Sequence, residues 1–154
     1  MCKLSWSISG VLLILLIAMS YKFIIVGSVT PSDDGRQLLL LEPAERNFVL
    51  AEMRTFLSSV QAITAGVSEE NMTQIAEAAR MVGAQAQKTM PGTLAGKLPL
   101  EFKKLGFDTH SKFDELALHA EQLGDPQHSL QQLTTLLSNC VACHSIYKID
   151  VALK

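Results

Sequence analysis

The chain has 154 residues, of which 48% are hydrophobic and 18% charged, and its formal net charge is −2. A chain of this length suits one domain with an appendage, and its charge lacks the basic excess that a nucleic-acid partner would require. Mean hydropathy is positive, at +0.24, and most of the apolar excess lies near the N-terminus. After Pro43 helix-forming residues dominate and alternating β-branched residues are scarce, which predicts an all-α fold.

Residues 1–30 are predicted to cross a membrane as one transmembrane helix. No charged residue occurs between Lys3 and Lys22, and the sequence is mostly apolar again after Lys22. About 20 apolar residues span a bilayer core, and a lysine near one end of such a helix can reach the interface. A retained anchor is therefore our first interpretation. A cleaved signal peptide, with the small residues Ala18 and Ser20 at the cleavage site, is the alternative.

Residues 31–42 are predicted to be a linker between this segment and the domain. They begin with the run Pro-Ser-Asp-Asp-Gly, and such residues favour turns over regular structure. Asp33 and Asp34 place acidic charge on this flank, which lacks the Lys and Arg excess of a cytoplasmic flank. The short apolar patch from Gln37 to Leu41 is expected to pack on the helices that follow.

Four helices, A to D, are expected in residues 43–154, which we predict to be the folded domain. Pro43 suits the first turn of helix A, and Ser68 is the expected cap of helix B. Asp125 followed by Pro126 has the pattern of an N-cap and a first helical residue at helix D. The expected spans are 43–64 for helix A, 69–87 for B, 108–123 for C and 125–148 for D, with a long connection at 88–106 in which one or more helical turns are allowed over 100–105.

Near the end of helix D, the sequence Cys140-Val-Ala-Cys143-His144 has the C-x-x-C-H spacing of a c-type haem attachment site. Each thiol forms a thioether with a haem vinyl group, and the histidine becomes an axial ligand of the iron. On a helix, Cys140 and His144 are four residues apart and share a face, with Cys143 beside the histidine. The motif therefore predicts one covalently bound haem c, with His144 as the metal ligand.

The sequence gives less support to two other uses of a C-x-x-C motif. A redox dithiol is expected in a thioredoxin-like βαβ setting, which the residues before Cys140 do not resemble. A structural zinc site needs four ligands, and the remaining cysteine, Cys2, lies at the other end of the chain. Haem c is attached outside the cytoplasmic membrane in bacteria, so the motif predicts a periplasmic domain and a cytoplasmic Cys2.

A C-x-x-C-H motif on the fourth of four helices resembles the cytochrome c prime family, whose members are four-helix bundles. Three local matches carry the resemblance: the C-x-x-C-H-x-x-Y-[RK] pattern that ends at Lys148, an arginine four residues before Leu50, and the pair Phe107 and Phe113. The family more often has Trp at the first aromatic position, and typical members lack a membrane segment. The resemblance implies an antiparallel four-helix bundle, here preceded by the transmembrane helix.

The resemblance also implies which residues surround the haem. Arg46 and Lys148 are expected beside it, with Lys148 near the ligand histidine, and Leu50 is expected on the distal side of the iron. Leucine cannot ligate, so this arrangement implies a five-coordinate iron whose open side Leu50 crowds. Met53 lies one helical turn, about 4.5 Å, further along the same face, and its thioether is the rival ligand. Methionine at such a position is also a common core residue.

The other three histidines are expected to have ordinary surface or hydrogen-bonding roles. His110 and His128 lie in the first turns of helices C and D and are predicted to be exposed. His119 lies beside the apolar stripe of helix C, where partial burial is expected. None of the three is expected to ligate the iron.

Three functions are compatible with these features. The first is a membrane-tethered electron carrier in the bacterial inner membrane, with its haem domain in the periplasm and an unidentified redox protein as partner. The second is a haem protein that binds NO or CO at an open distal site, and the third is a non-redox interaction subunit whose haem stabilises the bundle. No nucleophile–base pair stands out, so we do not expect an enzyme. The resemblance leaves open a homodimer formed through helices A and B.

Overall fold

The computed structural model of the chain describes residues 2–152. The predicted anchor begins at Met1 and the predicted domain ends at Leu153 and Lys154, which lie outside the described residues. The described chain is mostly helical and also contains a three-stranded sheet. The elements are α1 (Cys2–Ser20) continued by a π-helical turn (Tyr21–Val26), β1 (Val29–Pro31), β2 (Gln37–Leu41), α2 (Pro43–Ser68), α3 (Met72–Arg80), a 3-10 helix (Ala84–Thr89), α4 (Gly92–Lys97), α5 (Leu100–Leu123), α6 (Pro126–Ile146) and β3 (Tyr147–Val151).

The N-terminal helix has the length and hydropathy of a membrane-spanning segment. Its apolar part, Trp6–Val26, has 21 residues and a mean hydropathy of 2.3, and none of the segment is buried inside the protein. About 20 such residues are enough to cross a bilayer core, so the predicted hydrophobic length is confirmed. Lys22 lies near the end of this segment, where its Nζ donates a hydrogen bond to the carbonyl oxygen of Gly27 (3.0 Å).

The end of the apolar segment packs directly on the domain. Gly27 has a φ of +69°, and a Cβ at this position would lie 2.5 Å from the carbonyl oxygen of Lys97, so only glycine allows this approach. The next residue, Ser28, donates its backbone N–H to the same oxygen (2.7 Å). The Nζ of Lys103 donates to the carbonyl oxygen of Ile24 (3.3 Å). The anchor therefore joins the domain through a close contact with α4 and α5.

The residues predicted to be a linker form an ordered hairpin. Strands β1 and β2 pair antiparallel, with Val29 opposite Leu39, and β2 pairs parallel with β3 at the C-terminal end of the described chain. Leu39 and Leu41 alternate with more exposed residues and are 0% exposed, as the period-two geometry of a strand requires. The apolar patch does pack on the domain, as predicted, but it does so as the central strand of a sheet.

The purely α-helical prediction was wrong at this sheet, and so was the prediction that Tyr147 and Lys148 continue helix D. Helix α6 ends at Ile146, and Tyr147 is the first residue of β3. Tyr147, Ile149 and Val151 alternate along the strand, and aromatic and β-branched residues favour strands. The backbone groups of β3 find their partners in β2, more than one hundred residues earlier in the chain, which a reading of local sequence does not detect.

The four longer helices of the domain pack in a closed ring. Helix α2 contacts α3, α3 contacts α5, α5 contacts α6, and α6 contacts α2. Their buried side chains form one core, and a second core lies between the sheet, α2, α4 and α5. The first core includes Ile63, Ile75, Phe113, Leu116 and Leu136, and the second includes Leu39, Leu41, Val49, Leu94, Leu98 and Tyr147.

Two predicted helix ends are confirmed in detail. Pro43 is the first residue of α2, and a capping box joins Glu42 and Glu45, with the Glu42 N–H donating to Oε2 of Glu45 (3.0 Å). Asp125 caps α6, where its Oδ1 accepts the N–H groups of Gln127 (2.9 Å) and His128 (3.2 Å). Local capping patterns of this kind can be recognised from neighbouring residues alone.

Other predicted boundaries were wrong. Helix α2 continues to Ser68, and Asn71, not Ser68, caps α3 by accepting the N–H of Gln74 (3.1 Å). Helix α3 ends at Arg80, because the chain turns there and Asp114 of α5 accepts the N–H of Ala84 (2.9 Å). The predicted long connection contains α4, which was not expected. The helical turns allowed over 100–105 are present, but they are continuous with the predicted helix C and make α5 begin at Leu100. Helix α5 tolerates Gly106 in its interior because Phe102 and Leu105 pack on the second core.

Candidate functional site

The C-x-x-C-H motif lies in the last turns of α6. Asp125 and Pro126 fix the start of the helix, and its regular geometry brings Cys140, Cys143 and His144 to one end of the ring of helices. Both cysteines are partly buried free thiols, whereas His144 is exposed. Within the described part of the chain, the imidazole of His144 makes no hydrogen bond, so both of its ring nitrogens are available to a ligand.

The environment of the two thiols keeps them protonated at neutral pH. Burial raises the pKa of Cys140, and burial, with a smaller contribution from the nearby Cys140, raises the pKa of Cys143 to about 11. Reactive dithiols have a lowered thiol pKa, because the thiolate is the nucleophile and the metal ligand. The electrostatics of the motif therefore disfavour a redox dithiol and an open metal–thiolate site.

A cavity of about 180 Å³ lies beside the motif, between α2, α5, α6 and β3; we call it the motif cavity. Its walls come from residues that are distant in sequence and mostly apolar. A second cavity, of about 80 Å³, also has Met53, Phe102, Cys143 and His144 in its wall. The motif cavity is lined by Arg36, Leu50, Met53, Phe102, Cys143, His144, Tyr147, Lys148 and Ile149.

The motif cavity brings together most of the residues that the sequence singled out. Leu50 and Met53 of α2 lie across it from Cys143 and His144 of α6, and Lys148 lines its β3 side. Met53 reaches both cavities, whereas Leu50 reaches only the motif cavity. Cys140 lines the second cavity.

Arg46, which was also expected beside the haem, lines neither cavity. It is half-buried one helical turn before Leu50, and its Nε is buried without a hydrogen-bond partner among residues 2–152. A buried guanidinium nitrogen without a partner is costly. An anionic group bound at this end of α2 would remove that cost.

Arg36 is a cavity residue that sequence reasoning missed. It lies at the tip of the β1–β2 hairpin, and its Nη1 donates to the carbonyl oxygens of His144 (3.2 Å) and Tyr147 (3.5 Å). It also pairs with Asp34 (2.6 Å), while Lys148 pairs with Asp33 (3.4 Å). The hydrogen bonds from Arg36 lower the pKa of Asp34, and the charge of Lys148 lowers the pKa of Asp33. The hairpin thus holds the C-terminal end of α6 and sets two cations at the cavity.

His110 is buried, at 4% exposure, so the prediction that it is exposed was wrong. Because α5 begins at Leu100, His110 lies in the interior of the helix rather than in its first turn. Its Nδ1 is 2.7 Å from the carbonyl oxygen of Val82, and its Nε2 is 3.4 Å from Oε1 of Glu52. Burial opposes the charged imidazole, but hydrogen bonds to Glu52 and Val82 outweigh it and raise the pKa of His110. Both His110 and Glu52 line the second cavity.

The prediction of partial burial is confirmed for His119. His128 is also half-buried, so the prediction that it is exposed was wrong. The two rings contact each other between α5 and α6, with centroids 5.2 Å apart. His128 lies sixteen residues before His144 on α6, which is about 24 Å along the helix axis at 1.5 Å per residue. These histidines are therefore separate from the motif cavity.

The residues present fit a covalently held haem in their chemistry. Two thiols and an imidazole at C-x-x-C-H spacing line adjoining cavities, with an apolar side chain and a thioether across from them. Arg36 and Lys148 also line the motif cavity, but Asp34 and Asp33 pair with them, so a haem carboxylate would have to share or replace these ion pairs. Within residues 2–152, no group of three or more His, Cys, Asp or Glu side chains is arranged to hold a metal ion directly.

No protein-family model, curated protein or solved structure matches this chain. Three features of the chain itself point to a function: the C-x-x-C-H spacing, the apolar wall that α2 gives to the motif cavity, and the apolar N-terminal helix.

Proposed function

We propose that this protein is a membrane-tethered c-type cytochrome that carries one covalent haem and transfers electrons. The observation that carries the proposal is the motif cavity, where Cys143 and His144 of α6 lie across from Leu50 and Met53 of α2. A reversible one-electron change at iron is the chemistry that the haem supplies when bound. The ring formed by α2, α3, α5 and α6 corresponds in this proposal to the antiparallel four-helix bundle of the cytochrome c prime family.

The chain's own residues have distinct roles in this proposal. Cys140 and Cys143 hold the haem through thioethers, and His144 binds the iron on the side of α6. Arg36 and Lys148 would bind the haem carboxylates in place of, or together with, their present partners Asp34 and Asp33. The hydrogen bonds from Arg36 to the carbonyl oxygens of His144 and Tyr147 keep the last turn of α6 in place, which positions the imidazole.

Met53 is the residue that favours electron transfer. It lines both cavities, and Leu50 only one, although Met53 also packs on the second core. If its thioether turned from that core toward a bound haem, it would be the second protein ligand beside His144 and would raise the reduction potential.

Gas binding is the second candidate function, and Leu50 is the observation that favours it. If Leu50 rather than Met53 faces the iron, the distal side is apolar and has no ligand, which suits a small neutral molecule such as NO or CO. The two functions therefore differ in a single contact on α2.

The N-terminal segment supports a location at the bacterial inner membrane. Trp6–Val26 is long and apolar enough to cross a bilayer, and Asp33 and Asp34 follow it on the side of the domain. Covalent haem attachment takes place outside the cytoplasmic membrane, so we propose that the domain lies in the periplasm. The close contact of Gly27 with Lys97 keeps the domain at the membrane surface, within reach of membrane-bound redox proteins.

Absorption spectroscopy of the haem-loaded full chain in detergent tests the proposal. We expect a low-spin reduced spectrum that CO does not change, and a reversible one-electron titration. Met53→Leu should convert this spectrum to a high-spin, CO-responsive one, whereas the matched control Met81→Leu, at an exposed position, should leave it unchanged. A CO-responsive wild-type spectrum would favour gas binding at Leu50 instead, and a protein without haem would contradict both functions.

A further inference from the structure

A cluster of three polar side chains lies at the end of the domain opposite the motif cavity. His119 belongs to the last turns of α5, and His128 and Gln132 belong to the first turns of α6. The Nδ1 of His119 is 3.1 Å from Nε2 of His128 and 2.8 Å from Nε2 of Gln132. All three side chains are half-buried, so solvent ions can reach them.

With the amide of Gln132 in this orientation, hydrogen bonds pair only part of the cluster. An imidazole nitrogen carries either one lone pair or one proton, yet two groups approach the single Nδ1 of His119. In addition, Oε1 of Gln132 is buried and has no hydrogen-bond partner within residues 2–152. A buried acceptor without a partner costs free energy. Two groups therefore compete for one ring nitrogen, and one amide oxygen has no hydrogen-bond donor beside it.

The spacing of the two imidazole nitrogens matches that of two ligands on one metal ion. Zinc binds imidazole nitrogen at about 2.0–2.1 Å in tetrahedral geometry. Two such bonds at angles of about 100–110° place their nitrogens roughly 3.1–3.4 Å apart, and the observed separation of His119 Nδ1 and His128 Nε2 is 3.1 Å. A half turn of the Gln132 amide about its terminal bond exchanges its oxygen and nitrogen. The oxygen then lies where the nitrogen is now, 2.8 Å from Nδ1 of His119, where it can accept the Nδ1 proton or, once that proton has left, ligate the same ion.

The helices hold these donors in place before any ion binds. His128 and Gln132 are four residues apart and share a face of α6. His119 faces them across the contact between α5 and α6, and the turn between the helices is short, with Gly124 at a φ of +62° and Asp125 as the cap of α6. A site built on two packed helices loses little entropy when it binds a ligand.

We propose that His119, His128 and Gln132 form a binding site for a divalent transition metal ion that prefers imidazole, with Zn²⁺ and Cu²⁺ as the probes. The two imidazole nitrogens and the amide oxygen are the protein ligands, and water completes the coordination. A metal binds the lone pair of a neutral imidazole, so the proton that lies between the two rings leaves to solvent when the ion binds, and the other nitrogen of the same ring takes up a proton from solvent, which keeps each ring neutral. The bound ion cross-links α5 to α6, about 24 Å along α6 from His144.

Metal titration of the purified full chain in detergent tests this site. We expect Zn²⁺ to raise the Tm, and at a concentration one hundred times Kd to shift the unfolding equilibrium about 100-fold toward the folded state. His128→Gln and His119→Gln should each lose one equivalent of bound Zn²⁺ and its share of the Tm increase. Gln131→Ala, an exposed neighbour on α6, is the matched control and should bind as the wild type does.

Electron paramagnetic resonance of bound Cu²⁺ gives a second test that needs no variant to fold. We expect hyperfine splitting from two nitrogens in the wild-type protein, since both imidazoles ligate. Equal Zn²⁺ stoichiometry in wild type and both histidine variants, or a Cu²⁺ spectrum without two coupled nitrogens, would overturn the proposal. The haem spectrum is recorded before metal is added, so a failure of this site is distinguishable from a failure of the proposed cytochrome function.

Discussion

Each end of α6 carries a histidine, but the two imidazoles have different neighbours. At the C-terminal end, His144 is exposed and lies beside the motif cavity of about 180 Å³. At the N-terminal end, His128 is half-buried, with a second imidazole nitrogen 3.1 Å away. An imidazole that faces a cavity is available to a large cofactor, whereas one that faces another imidazole at this distance accepts only a single ion. The groups opposite the ring, rather than the ring itself, set the size of the ligand.

Exchanging the histidine for glutamine at each end in turn gives the largest expected effect. His144→Gln should abolish the native reduced absorption spectrum, because the iron loses its ligand from α6, while His128→Gln should leave that spectrum unchanged. The spectra of the two full-length variants, recorded at equal haem content, are the measurement. An unchanged spectrum in His144→Gln would remove the functional difference between the two ends.

Leu136 tests whether the two ends belong to one cooperative core. It lies between them on α6 and is 0% exposed, so Leu136→Ala should lower the free energy of unfolding by about 2–5 kcal/mol. Denaturant unfolding followed by circular dichroism measures this loss. Leu118→Ala, where the side chain is 43% exposed, is the control and should cost much less. If the variant unfolded one end of α6 well before the other, the two ends would not share a core.

The contact between the β1–β2 hairpin and the C-terminal end of α6 can be removed without changing the N-terminal end of that helix. Arg36→Ala removes the hydrogen bonds to the carbonyl oxygens of His144 and Tyr147. We expect a several-fold increase in amide hydrogen exchange at the last turn of α6 and no change at its first turn, measured by mass spectrometry. Arg80→Ala is the matched control, because it breaks an exposed pair with Glu121 (2.6 Å) elsewhere in the domain. Equal exchange in both variants would show that the hairpin does not hold the motif.

The smallest expected effect is a pH dependence from His110, which lies between the two ends of the domain. Its folded-state pKa is raised above 6.5, so its contribution to stability is fully present below pH 6.5 and is lost as the pH rises through the folded value. The Tm should therefore fall slightly between pH 6 and pH 8. Glu52→Gln removes the carboxylate that favours the charged ring and should flatten this dependence. A Tm that rose over this range in wild type but not in Glu52→Gln would contradict the assignment.

The same comparison explains how much of the structure could be predicted from sequence. The start of α6 was predicted correctly because its determinants, Asp125 and Pro126, are adjacent residues with local physical roles. The end of α6 was not, because Tyr147 leaves the helix to pair with Gln37 of β2. Pairing between distant segments depends on the whole fold, and nothing near Tyr147 indicates its partner.

The candidate site shows the same division between local and distant information. That Cys140, Cys143 and His144 lie together near the end of one helix could be predicted because it depends only on their spacing in the sequence, whereas their role in holding haem stays a prediction. Arg36 was missed because it reaches the motif from a segment that was expected to be a linker rather than part of the site. His110 was misplaced because the start of α5 depends on packing of Phe102 and Leu105 on the second core. The glycines and prolines of residues 88–106 predicted a break in helical structure there, but they do not reveal that packing.

Intact-mass spectrometry of the full chain, expressed with a c-type haem attachment system, tests the central claim most directly. We expect the protein to carry the mass of one haem after denaturation, and Cys2→Ala to carry it equally. Cys140→Ala/Cys143→Ala should have the mass of the polypeptide alone. A denatured wild-type chain without added mass, or a double variant that still retains haem covalently, would contradict the assignment of Cys140 and Cys143 as the attachment site.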